Sequence, residues 1–224
     1  MRKGGHRTHP NLKDAAVDYI RDRIVGGAFV PGGKVDQDDI AATLGISRLP
    51  VREALIELAQ EGFVEAIPRR GAFVVTLAVD DIHDHYRAYG AVAGLAAARC
   101  AERVDDATLA DLRRLHGAVA EAGDPVRQAA ANFEFHRRVH HGSGSRQLLS
   151  VLWFLGRALP IAMFRHDAVW HATAVRDHAD LLDSLERRRP EEADGVTRRH
   201  LGAAADHLVE VLRRDGYWTD VNDG

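Results

Sequence analysis

The stretch IVGGAFVPGGKVDQDDIAATLGISRLPVREALIELAQEGFVEAIPRRGAFVV, residues 24–75, decides the fold. Its middle holds two helical runs separated by a break. Asp36 stands as a helix N-cap with Asp39 three residues on, and Ile40, Ala41 and Leu44 follow at helical spacing. Gly45 stops this run, Ser47 can cap the next, and residues 48–60 place Val51, Ala54, Leu55 and Leu58 on one face. Pro50 falls in the first turn, where its missing N–H costs nothing. A short helix, a glycine-containing turn and a second helix make a helix-turn-helix pattern. Two β-prone runs, 63–67 and 72–77, then flank Pro68, Arg69, Arg70 and Gly71, which predicts a hairpin with a basic tip. A helix-turn-helix followed by such a hairpin is a winged helix.

Upstream, Leu12, Ala15, Ala16, Tyr19, Ile20 and Val25 recur at helical spacing, so residues 11–25 are expected to form a helix ended by Gly26 and Gly27. Residues 1–10 are basic and aperiodic and read as a flexible arm. Downstream of Val79 no strand signal recurs. Alanine, leucine and arginine dominate at helical spacing, with breaks at 104–105, 122–125, 142–145, 165–167 and 189–190 that divide the segment into about six helices. Pro160, inside the fourth of these, is expected to kink it. The expected architecture is mainly α: a winged helix-turn-helix over 11–77, an all-helical bundle over 78–216, and a frayed tail over 217–224.

Composition permits this division. The chain has 224 residues, 46% of them hydrophobic, enough for two cores of ordinary size. No apolar run reaches membrane-spanning length and the N-terminus lacks the apolar segment of a secretion signal, so a cytoplasmic protein is expected. Cys100 is the single cysteine, which excludes an internal disulfide. Residues 1–76 carry 11 basic against 10 acidic groups, and the remainder 19 against 23. Any DNA-binding surface must therefore be local rather than a property of net charge. Thirteen histidines make a metal site worth seeking.

In a helix-turn-helix the start of the second helix enters the major groove of DNA. Arg48 and Arg52 lie there, four apart on one face, and arginine is the usual bidentate reader of guanine. Arg69 and Arg70 at the hairpin tip can grip phosphate or enter the minor groove beside Gly71, and Ser47 can hold a phosphate with its hydroxyl. The competing reading pairs these arginines with Glu53, Glu57 and Glu61 on the surface.

The 24–75 stretch resembles the GntR family of bacterial regulators, whose pattern runs PG, a leucine-rich helix, LGVSR-x-PVREAL, L-x-x-EG and P-x-RG. The resemblance implies base or phosphate contacts for Arg48 and Arg52, with Pro50 inside the motif and Gly71 at the wing tip. Two positions depart from the family pattern. Leu49 stands where a threonine is usual, and Asp38 lies on a helix where some members place an arginine, which implies fewer DNA contacts or a different operator preference.

In the second half Asn132 and His136 are spaced to leave one face of a helix, while His178 and His200 fall on two further helices. Three imidazoles and an amide oxygen brought together on a bundle axis could hold a divalent transition metal with open positions. This half resembles the FCD ligand-binding domain of the FadR-type branch, whose motifs D-x-x-F-H, EH-x-x-L and a helix ending in HL are matched by NFEFH, DHADLLDSL and TRRHL. The resemblance implies a bound zinc or nickel held by Asn132, His136, His178 and His200, with Asn132 replacing the usual aspartate. It further implies that Arg87 contacts a small carboxylate effector such as a hydroxy acid, sugar acid, dicarboxylate or amino acid. The alternative for Arg87 is a surface pair with Asp84. His83, His85, His140, His141 and His207, and the arginines Arg157 and Arg165, are further candidates for the pocket.

The function expected is a ligand-responsive regulator, a repressor binding operator DNA as a homodimer, since paired half-sites need two reading heads. Two alternatives are a zinc hydrolase, against which no general base stands in the motifs, and a DNA-binding protein whose helical domain is purely structural.

Overall fold

The computed structural model describes residues 11–157 and 168–218. The expected arm, the kink at Pro160, the boundary at 165–167, Arg165 and the tail beyond Trp218 lie outside them. The described residues form two compact units that divide between Leu77 and Ala78.

The first unit runs α1 (Leu12–Val25), β1 (Lys34–Val35), α2 (Gln37–Leu44), α3 (Arg48–Gln60), β2 (Val64–Ile67) and β3 (Gly71–Val74). Asp36 caps α2 as expected, its carboxylate accepting from the Asp38 and Asp39 N–H groups. Gly45 ends α2 in the left-handed conformation at φ 65°, which a glycine reaches without the penalty a Cβ carries. That single residue turns the chain from α2 into α3. The sheet corrects the sequence reading. It has three antiparallel strands in the order β1-β3-β2, because Lys34 and Val35 pair with Phe73 and Ala72. A two-residue strand offers no alternation to read, so only the pairing partner reveals it. One core holds the unit together: Ala16, Val17, Ile20 and Ile24 of α1 meet Ile40, Val51, Ala54, Leu58 and Val74.

The second unit has α4 (Val79–Arg103), α5 (Asp106–Glu121), α6 (Pro125–Gly142), α7 (Arg146–Arg157), α8 (Ala168–Glu186) and α9 (Pro190–Arg214). Six helices are therefore present among the described residues, with Pro125 and Pro190 at helix starts where their lack of an N–H is harmless. Asp105 and Asp124 cap α5 and α6, accepting from the Thr108 and Arg127 N–H groups. The two 25-residue helices α4 and α9 lie along one another. Small residues of α4 allow it: a Cβ at Gly94 would collide with the Asp194 carboxylate and backbone of α9. Ala97, Cys100 and Ala101 of α4, Leu112 of α5, Phe135 and Val139 of α6, Leu181 and Leu185 of α8 and Val196 of α9 fill the core. Burying a ring the size of Phe135 contributes about 1.5–3 kcal/mol. Cys100 sits in this core, its thiol pushed up to about 11 by burial.

Candidate DNA-reading face and metal centre

The reading face of the first unit is the exposed side of α3 and the β2–β3 turn. Val51, Ala54, Leu55 and Leu58 turn inward, which leaves Ser47, Arg48, Leu49, Arg52 and Ile56 outward. Ser47 has the extended backbone of an N-cap, but its side chain makes no cap bond, contrary to expectation; the residue is turned out to solvent. Pro50 occupies the first turn. Glu57 of α3 and Glu61 just beyond its end are engaged from behind, by α1. Arg21 donates to Glu61 at 2.7 Å, and Lys13 pairs with Glu57. The surface pairing of Arg48 and Arg52 with Glu53, Glu57 and Glu61 is thus not the arrangement adopted. Arg48 pairs instead with Asp38 of α2, its Nη2 donating to Oδ2 at 2.8 Å. Among the described residues no ion pair ties Arg52.

The wing turn is closed by the Arg70 N–H donating to the Ile67 carbonyl at 3.0 Å, with Pro68 and Arg69 between. Arg69 has φ 63°, a conformation that costs a side-chain-bearing residue about 1–2 kcal/mol. Arg70 lies over the Phe73 ring, 5.3 Å from its centroid, and Gly71 opens β3. A groove of about 700 Å³ runs between α3 and the wing, lined by Arg52, Ile56, Ile67, Pro68 and Arg69.

In the second unit α6, α8 and α9 bring His136, His178 and His200 together, with a ligand nitrogen of each within 4.8 Å of the others. Nε2 of His136 and Nε2 of His178 face one another at 3.1 Å. Phe135 stacks on the His178 ring at 4.3 Å and fixes its plane. His200 is oriented by a carboxylate: its Nδ1 lies 3.1 Å from Asp177 Oδ2, which leaves Nε2 to offer a lone pair. Trp170 covers the His200 ring at 5.2 Å. Burial, and after it the neighbouring imidazoles, hold His136 and His178 well below the ordinary histidine range, so both are neutral at pH 7. Neutral imidazoles are the form that binds a metal. One turn before His136, Asn132 presents a buried Oδ1 with no hydrogen-bond partner. Three clustered imidazole nitrogens, an orphaned buried oxygen and a carboxylate holding one imidazole fit a divalent transition metal, and the histidine–carboxylate pair is the usual second layer of such a site.

The other candidates fall elsewhere. Arg87 takes the alternative placement: it is on the exposed side of α4, its Nη1 donating to Asp84 at 3.0 Å, while its neighbours Tyr86 and Gly90 take the inward face. His83 pairs with Asp206 at 3.1 Å, and His141 is exposed. His140 stacks beside His136 with its ring 6.3 Å away, pushed down to about 4 by burial, and Tyr89 of α4 meets it edge-on. His85 lies next to Tyr89, and His207 stacks on Trp170. None of these joins the three-nitrogen cluster. Asp177 and Trp170 border the cluster and are what sequence reasoning missed. Asp177 is adjacent to His178 in the chain but serves His200 on another helix, and no spacing rule points there.

Two family models match the chain: bacterial regulatory proteins, gntR family, over residues 12–74, and FCD domain over residues 84–203. The chain is 31% identical over 211 residues to an HTH-type transcriptional regulator of Mycobacterium tuberculosis, covering 90% of this chain and 83% of that protein. It is 32% identical over 200 residues to a probable D-xylose utilization operon transcriptional repressor of Paenarthrobacter nicotinovorans, covering 88% of each. Its fold is similar to that of the E. coli protein McbR/YncC, with a TM-score of 0.63 and 20% identity over 92% of this chain and 99% of that one.

Proposed function

The chain belongs to the gntR family of bacterial regulatory proteins, with an FCD domain behind its winged helix, and from that premise we propose a repressor whose operator affinity changes when a small carboxylate binds at a metal-containing pocket. It is a DNA-binding transcription regulator and not an enzyme. The hydrolase alternative also lacks a base: Glu134 is turned away from the histidines and accepts two hydrogen bonds from Arg137.

The observation that carries the sensor reading is the convergence of His136, His178 and His200 from three helices. These residues would hold zinc or nickel, with the Asn132 amide oxygen as a weak fourth donor. A bound metal supplies a positive charge and open coordination positions for a carboxylate. Asp177 holds the His200 tautomer, Phe135 and Trp170 fix ring planes, and His140 supplies a neutral hydrogen-bonding group beside His136. With Arg87 paired to Asp84 on the exposed side of α4, the metal is the group taken to hold the acid. At the DNA end, Arg48, Arg52, Arg69 and Arg70 would meet bases and phosphates, with Ser47 and the Gly71 backbone against the phosphate chain. Two copies of the chain would read paired half-sites as a homodimer in the cytoplasm. No helix among the described residues is long and apolar enough to cross a membrane.

A thermal-shift screen tests this reading. Protein stripped with chelator is melted with small carboxylates, with and without zinc or nickel, beginning with sugar acids because one relative is named for D-xylose utilization. A ligand that binds only the folded state raises Tm by mass action. An acid that stabilises only the metal-loaded protein, and also shifts its DNA binding, is the expected result. If neither metal nor acid moves the melt, the sensor reading is wrong.

A further inference from the structure

The exposed face of α3 carries an unusual stripe. Leu49 and Ile56 are 63% and 52% exposed, and they flank Arg52 at helical spacing, so the three side chains line one strip of the helix surface. A single exposed leucine needs no explanation on an ordinary surface. Here the leucine stands in the first turn of the helix that enters the major groove, one turn ahead of an arginine free to read a base.

The neighbouring geometry decides what Leu49 can do. Arg48 is drawn back toward α2 by the Asp38 carboxylate. That pairing offsets part of its charge and ties its guanidinium to α2. Ser47 contributes a small hydroxyl. The largest uncommitted side chain at the leading end of α3 is therefore aliphatic. A leucine neither donates nor accepts a hydrogen bond, so it gains nothing from phosphate or from the polar base edges. The single apolar group that B-DNA presents in its major groove is the C5 methyl of thymine.

We infer that Leu49 is a specificity-determining residue that reads a thymine methyl in each half-site, next to the base read by Arg52. Asp38 is a positioning residue that keeps Arg48 from competing for the same position. The inference rests on the DNA-binding reading of the first unit and is independent of the metal centre.

The test removes the methyl alone. The full-length protein selects binding sites from a random duplex library. Each thymine of the selected site is then replaced singly by deoxyuridine, and Kd is measured by fluorescence anisotropy for wild type, Leu49→Ala and Leu49→Thr. Burying one methyl-sized group predicts about a fourfold weakening of wild type at one thymine per half-site. Leu49→Ala, which lacks the three outer carbons of leucine, should lose that sensitivity, and Leu49→Thr, which keeps one shorter methyl, should lose most of it, while both still discriminate the base read by Arg52. Because the Leu49 side chain is exposed, both variants should melt with the wild type. Equal sensitivity in wild type and Leu49→Ala at every thymine, or none in either, overturns the inference. A selection that enriches no sequence removes the DNA-binding reading itself and the inference with it.

Discussion

Asp177→Ala isolates the part of the metal centre that only three-dimensional contact creates. The Asp177 carboxylate, 3.1 Å from His200 Nδ1, sets the tautomer that leaves Nε2 free for a metal. Losing such a carboxylate partner costs metal affinity about 10–100-fold. At free zinc about 100 times its dissociation constant, the wild-type protein gains about 2.7 kcal/mol of stability. The same zinc gives a variant weakened about 30-fold only about 0.9 kcal/mol. The difference, about 1.8 kcal/mol, makes the zinc-induced rise in Tm smaller by about 4–7 °C for a chain of this size. The variant also loses a hydrogen bond worth about 1 kcal/mol, but that loss falls on metal-free and metal-loaded protein alike and cancels in the shift. The assay is differential scanning fluorimetry of chelator-treated protein across a zinc titration. An unchanged zinc-induced shift in Asp177→Ala would refute the claim that this carboxylate tunes the site. A lower Tm in both states with an equal shift would mean that Asp177 serves the fold and not the metal.

Three other outcomes are expected. Asn132→Asp puts a carboxylate one turn from His136 of the imidazole cluster, so calorimetry should show zinc binding tighter by roughly 10-fold or more and less dependent on an added carboxylate, while the metal-free protein loses stability from the buried charge. Histidines buried neutral make the metal-free protein acid-sensitive: the His140 value falls from 6.5 to about 4 on folding, so the unfolded chain takes up the proton first and stability should decline as pH drops through that window. His136 and His178 add to the decline in the same direction, and a urea-unfolding series from pH 7 to pH 4 reads it. Arg52→Ala should weaken operator binding by about 1–3 kcal/mol and relax preference at one base per half-site, whereas Arg69→Ala should weaken all sequences alike and flatten the salt dependence, both read by anisotropy at several salt concentrations.

Much of this protein is determined locally and so is legible in its sequence. Asp36, Gly45 and Pro50 act within one helical turn of themselves, and both ends of α2 and the start of α3 are marked by them. Pro125 and Pro190 mark helix starts for the same reason. Among thirteen histidines, His136, His178 and His200 are picked out by the motifs they share with a family, not by spacing. What the tertiary structure decided are contacts between residues far apart in the chain. The strand at Lys34 and Val35 exists because Phe73 and Ala72 are there to pair with it. Arg48 is aimed by Asp38 from another helix, and His200 is oriented by Asp177. Arg87 points to solvent because the packing of α4 gives the inward face to Tyr86 and Gly90. Periodicity says which residues share a helix face, but only packing says what that face meets.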